Sequence, residues 1–126
     1  MELEDLTEEI IGCAYKVYNT LGFGFLESVY EKALAIELNQ QDLSIEVQKP
    51  IQVFYHDTIV GNFRADLVIN DLIIIELKSV DNIVKEFEVQ LVNYLTATFK
   101  PVGLLLNFSP KGVQVRRKVR ILPSNE

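Results

Sequence analysis

A chain of 126 residues, 48% hydrophobic and 24% charged, fits one globular domain over 1–126 and excludes a disordered protein. Its single cysteine, Cys13, and single histidine, His56, rule out an internal disulfide framework and a multi-histidine zinc site. A net charge of −6 argues against a non-specific nucleic-acid coat but leaves local sites open.

Asp5, with Glu8 three residues on, resembles a capping box opening a first helix. Ile10, Ile11, Ala14, Val17, Tyr18 and Leu21 recur at helical spacing, with Cys13 among them as a buried structural thiol. Gly22-Phe23-Gly24 stops that helix, and a second runs from about Leu26 to Gln40. The period then changes. Ser44 to Tyr55 reads as a strand whose Pro50 implies an edge or a bend, and Ile59 to Ile69 reads as the next. Asn70-Asp71 turns the chain into a third strand, Leu72 to Ser79. A third helix, about Ile83 to Phe99, ends at Pro101. Strands near Val102–Phe108 and Val113–Val119 close the chain around Ser109-Pro110-Lys111-Gly112. The order α-α-β-β-β-α-β-β predicts an α/β fold, a central mixed sheet flanked by helices, with a crossover helix into the fourth strand. The acidic beginning and short apolar runs predict a cytoplasmic protein with no membrane partner.

The third strand carries the chemical question. In Leu72-Ile73-Ile74-Ile75-Glu76-Leu77-Lys78 an apolar run continues into an acid and a base. Alternation puts Ile73, Ile75 and Leu77 on one face and Ile74, Glu76 and Lys78 on the other. On the preceding strand Asp66 shares a face with Arg64 and Val68. Counting about the turn centre pairs Asp66 with Ile75, while an offset of one residue sets it beside Glu76. Sequence leaves that register open. If the two carboxylates converge they raise one another's pKa unless a cation intervenes, and Mg2+ suits such hard oxygens. Lys78 beside a metal-activated water gives the parts of phosphodiester hydrolysis. The plainer reading is a solvated Glu-Lys pair at the rim of the sheet.

Gly24-x-x-Glu27-x-x-Tyr30, Arg64-Ala65-Asp66, Glu76-Leu77-Lys78 and Gln90-x-x-x-Tyr94, in that order, resemble the GxxExxY family, a branch of the PD-(D/E)XK nuclease superfamily. The resemblance extends from the first helix to Gly103–Phe108. It implies a restriction-endonuclease-like core and Mg2+ or Mn2+ as cofactor. Position by position, it makes Asp66 and Glu76 metal ligands, with Glu27 and the backbone carbonyl of Leu77 in support. Lys78 becomes the catalytic lysine, and Gln90 and Tyr94, with Tyr30, support the site or contact substrate. Three positions depart from the pattern. Phe23 stands where proline often separates the glycines, and Phe87 where a histidine often precedes the glutamine. Arg64-Ala65 precedes the first acid in place of the usual proline.

Lys111, Arg116, Arg117, Lys118 and Arg120 offer phosphate contacts, with Arg116, Lys118 and Arg120 on one face; the alternative is a charged edge strand that resists aggregation. Phe54, Tyr55 and Phe63 read as core or hairpin packing. The expectation is a metal-dependent nuclease acting on nucleic acid, DNA before RNA. A chain this small leaves room for a homo-oligomer or protein partner in substrate recognition. The alternative is a catalytically inactive nucleic-acid-binding or protein-interaction module with the same fold.

Overall fold

The computed structural model describes residues 2–120. Helices α1 (Leu3–Leu21) and α2 (Glu27–Asn39) lie on one face of a five-stranded sheet and α3 (Lys85–Thr98) on the other. The strands β1 (Ile45–Tyr55), β2 (Thr58–Ile69), β3 (Ile73–Lys78), β4 (Val102–Ser109) and β5 (Gly112–Val119) are ordered β1-β2-β3-β4-β5. All neighbours are antiparallel except β3 and β4, which run parallel because α3 crosses between them. The fold is α/β, a mixed sheet flanked by helices, in the order α-α-β-β-β-α-β-β and consistent with a restriction-endonuclease-like core. No helix among the described residues is long and apolar enough to cross a membrane.

The capping box at Asp5 is corrected. α1 starts at Leu3 with Glu2 as N-cap, and the Glu2 side chain makes no cap hydrogen bond. Leu3 and Leu6 both pack on the core, so hydrophobic contact draws the helix start three residues further back. Asp5 becomes a first-turn acid, favourable at the positive end of the helix dipole. At the other end Gly22 takes φ 71, and its N–H donates to Tyr18 O at 2.8 Å, terminating the helix as glycine readily can.

Two cores sandwich the sheet. Leu6, Ile10, Cys13, Val17, Leu34 and Leu38 pack on Leu67, Ile69, Ile73, Ile75, Leu77 and alternate β4 residues. Opposite them, Leu91, Tyr94 and Leu95 of α3 pack on Ile51, Ala65, Val68, Ile74 and Leu105. Gly103 lets α3 approach: a Cβ there would lie 2.7 Å from a methyl of Leu91. Pro50 sits on edge strand β1, where its missing N–H leaves no gap in a central ladder.

Candidate active site

The hairpin β2–β3 decides whether the acids meet. Asn70 and Asp71 take φ 52 and 56, and Leu72 N–H donates to Ile69 O at 3.0 Å, a tight turn of the kind that favours hairpins. The ladder nevertheless pairs Ile69 with Ile73, Val68 with Ile74 and Leu67 with Ile75. Leu72 is therefore an extra residue at the mouth of the hairpin, and it supplies the offset of one. Continued one step, this register places Asp66 opposite Glu76.

At that step the ladder stops. β2 and β3 exchange no further backbone pair beyond Leu67 and Ile75, and Leu77 N–H donates instead to Asp66 Oδ2 at 2.8 Å. A carboxylate thus takes over a donor that a β-ladder would have used. The other side of β2 is also irregular. β1 pairs with β2 at Val47–Leu67 and at Lys49–Ala65 but omits Gln48–Asp66, and Gln48 has φ 52. Ala65 packs towards α3 while Leu67 packs towards α1 and α2, so the alternation of faces breaks at Asp66. Such local distortions re-aim side chains and concentrate at functional sites.

Glu76 sits in an environment hostile to its charge. Burial first, then the neighbouring Asp66 carboxylate, push its pKa up to about 9, with Lys78 pulling more weakly the other way. Its Oε1 is buried and has no hydrogen-bond partner among the described residues. A buried carboxylate oxygen with nothing to bind is costly. Two adjacent carboxylates and one unpartnered oxygen fit a divalent cation, which would relieve the repulsion and occupy the free oxygen. Among the described residues, no three His, Cys, Asp or Glu side chains converge as a complete ligand cage.

The sequence matches the family model described as the PD-(D/E)XK nuclease superfamily over residues 4–119. The chain belongs to that superfamily. The match contains the whole β2–β3 hairpin and α3, and hence every element of the cluster. Three solved chains also match. One, described as "Crystal structure of SSO0001", aligns with a TM-score of 0.59 at 19% identity, covering 77% of this chain and 52% of that one. This chain therefore spans about half the length of that protein, and the likeness is one of fold. A search of curated proteins finds no match.

Within this nuclease-superfamily fold the remaining residues fall into distinct places. The Lys78 ammonium lies 4.3 Å from the centre of the Phe87 ring, a cation–π seat. Asn107, wholly buried and directly beside Lys78 on β4, clamps the chain beyond it. Its Oδ1 accepts from Val80 N and its Nδ2 donates to Val80 O, both at 2.9 Å. Tyr94 is buried next to the acids: burial, then Glu76 and Asp66, raise its hydroxyl pKa. Gln90, one turn before it, is exposed on the same groove. Leu77, expected to contribute its carbonyl, meets Asp66 through its N–H.

Helix α2 carries a second acid, Glu31, towards the cluster besides Glu27. Glu27 is exposed at the first position of α2, and its charge acts on Glu31. Glu31, one turn further on, approaches Asp66 through Gln48: Gln48 Nε2 donates to Glu31 Oε2 at 2.8 Å and to Asp66 Oδ1 at 3.2 Å. Burial raises the pKa of Glu31, with the Gln48 bond opposing and Asp66 reinforcing the rise. Neither Glu31 nor Gln48 was anticipated. The spacing Glu27-x-x-x-Glu31 was the available signal, since residues four apart share a helix face. Tyr30 is fully buried, stacked on Phe108 at 4.3 Å, and its hydroxyl donates to Gly22 O and accepts from Phe25 N. It braces the Gly22–Phe25 loop, which Ser79 Oγ joins to the end of β3 by donating to Phe25 O.

The basic strand is an edge, as the aggregation argument requires. Lys118 is held by Glu88 at 2.7 Å, while Arg116 is exposed and donates to the adjacent Val115 carbonyl. Phe54, Tyr55 and Phe63 correct the core half of the packing expectation. They are 58%, 67% and 42% exposed, because the outer half of the long β1–β2 hairpin projects beyond helical cover.

Proposed function

We propose that this protein is a divalent-metal-dependent nuclease that hydrolyses phosphodiester bonds of nucleic acid, DNA in preference to RNA. The observation that carries the reading is the Asp66–Glu76 pair, with the buried Glu76 Oε1 left unpartnered and Lys78 two residues on. Superfamily membership supports it, and the Gly24-x-x-Glu27-x-x-Tyr30 signature supports placement in the GxxExxY branch.

Asp66 and Glu76 would hold Mg2+ or Mn2+, with the Leu77 carbonyl and Glu27 as candidates for further ligation. A divalent ion bound there acidifies water and offsets negative charge on phosphate. Leu77 N–H and Gln48 fix both oxygens of Asp66. Lys78, seated on Phe87, places a positive charge beside the carboxylates, where negative charge grows on a phosphoryl group under attack. Asn107 fixes the backbone that carries Lys78, so the ammonium needs little reorganisation. Gln90, Tyr94, Arg116 and Lys118 lie on the α3 side, where they can contact the substrate backbone.

The test is cleavage of labelled DNA and RNA with Mg2+ or Mn2+, in wild type and in Asp66→Ala, Glu76→Ala and Lys78→Ala. Activity that needs the cation and vanishes in variants with unchanged circular dichroism establishes the assignment. A wild type that binds neither Mn2+ by calorimetry nor cuts any strand would sink it. The two-carboxylate cluster, short of a third side-chain ligand among the described residues, gives the inactive binding module its one point of support. Nucleic-acid binding without turnover, insensitive to the three substitutions and weakened by Arg116→Ala, favours that module.

A further inference from the structure

We propose that the groove between the β1–β2 hairpin and α3 receives the unstacked bases of a single-stranded nucleic acid and leads its backbone to the Asp66–Glu76 cluster. The inference rests on the nuclease reading above and names its substrate class.

The groove encloses about 1070 Å³, at the upper limit of the roughly 300–1,000 Å³ typical of small-molecule sites. Aromatic rings stand on both walls: Phe54 and Phe63 on the hairpin, Phe87 and Tyr94 on α3, with Phe99 just past its end. Phe63 and Tyr94 already pair, with centroids 5.5 Å apart. Exposed rings cost free energy in water and suit the π-faces of bases. Amides of Gln52, Gln90 and Asn93 are interspersed with them, and an amide matches the donor and acceptor edges of an unpaired base. Charge at the lining is slight and balanced, one base in Lys85 and one acid in Glu86.

Two rings of the α3 wall adjoin the catalytic cluster. Phe87 carries the Lys78 ammonium, and Tyr94 feels the charges of Glu76 and Asp66. A strand whose bases occupy the groove therefore has its backbone next to the carboxylates. The acidity is concentrated early in the chain: residues 1–44, which contain α1 and α2, hold nine acids and two bases, whereas residues 45–126 hold nine acids and ten bases.

Two other occupants fit less well. A duplex hides its base faces in its own stack and would present phosphates to an apolar surface. A second copy of the chain seated on the groove would cover Phe87 and Tyr94, and with them the approach to Glu76.

The chain has no tryptophan, so Phe63→Trp places a single indole reporter in the groove. Titration in divalent-free buffer with an oligothymidine should quench that indole saturably, and a hairpin duplex should bind at least tenfold more weakly. Phe63→Ala and the more exposed Phe54→Ala should each weaken single-strand binding roughly 5- to 100-fold, the range of base–aromatic stacking. Duplex bound as tightly, or an indole untouched by the single strand, overturns the proposal. So does an emission change that follows protein concentration alone and tracks dimerisation in sedimentation. Mn2+ added afterwards separates the two readings. Groove binding without cleavage defeats the nuclease and spares the groove; cleavage indifferent to both aromatic substitutions does the reverse.

Discussion

The two halves of β3 have three residues each and opposite surroundings. Ile73–Ile75 are paired on both sides, with β2 and with β4, and are completely buried. Glu76–Lys78 keep only β4, because β2 has parted from them and answers with the Asp66 side chain. Charge is therefore carried where the ladder opens, and apolar side chains fill the half where it is closed. A backbone donor satisfied by a carboxylate leaves that carboxylate aimed at its neighbour, so one irregularity both saves a hydrogen bond and assembles the site.

The largest effect should come from taking the charge out of the open half while keeping its hydrogen bond. Asp66→Asn retains an acceptor for Leu77 N–H but loses the negative charge, and activity should fall by on the order of 10³-fold with the fold intact. Equal stability of the variant and wild type in urea checks the second part. In the closed half the cost shifts from function to stability. Ile75→Ala removes a fully buried side chain and should destabilise by about 2–5 kcal/mol, read as a lowered urea midpoint at constant slope.

A smaller effect, of opposite sign, belongs to Glu76. Its pKa is raised from 4.5 to about 9, so through that window the native protein keeps a proton that the unfolded chain has released. Stability of the metal-free protein must then fall as pH rises from 4.5 towards about 9. Glu76→Gln has no such proton to lose. It should melt about 5 °C or more above wild type at pH 8 without divalent ions, and converge with it near pH 4. Mn2+ should raise the melting temperature of wild type and leave the variant nearly unmoved. An inactive protein more stable than its parent is the outcome expected of a site that strains the fold.

Much of this contrast could be read in the residues, and the reasons differ by element. The helices declared themselves by period, and Ile73, Ile75 and Leu77 separated from Ile74 by simple alternation. The register did not, because Leu72 as an extra residue looks like any other apolar residue before a strand. Positive φ at Gln48 is equally silent, since glutamine carries no turn signature. Asn107 was legible in hindsight: a single amide inside Gly103-Leu104-Leu105-Leu106-Asn107-Phe108 has to find buried partners, and Val80 supplies them. Exposure of Phe54 and Phe63 depends on how far the hairpin outreaches α3, a tertiary distance that no local pattern encodes.

The smallest effect tests the boundary between the halves at Lys78. Its ammonium has a choice between the carboxylate side and the face of Phe87, and the ring holds it at 4.3 Å. Cation–π attraction of this kind is worth about 0.5–2 kcal/mol, so Phe87→Leu, which keeps apolar bulk and removes the ring, should slow turnover roughly 3- to 10-fold. Phe87→Trp should restore it, an outcome that a purely packing role for Phe87 does not produce. Phe87→His exchanges the ring for one that titrates. A neutral imidazole still offers a ring face, whereas the protonated one repels the ammonium, so activity of that variant should drop below about pH 6.5 relative to wild type. A Phe87→Leu enzyme as fast as wild type across that range would mean that Lys78 is placed by Asn107 and the strand alone, with the ring a mere neighbour.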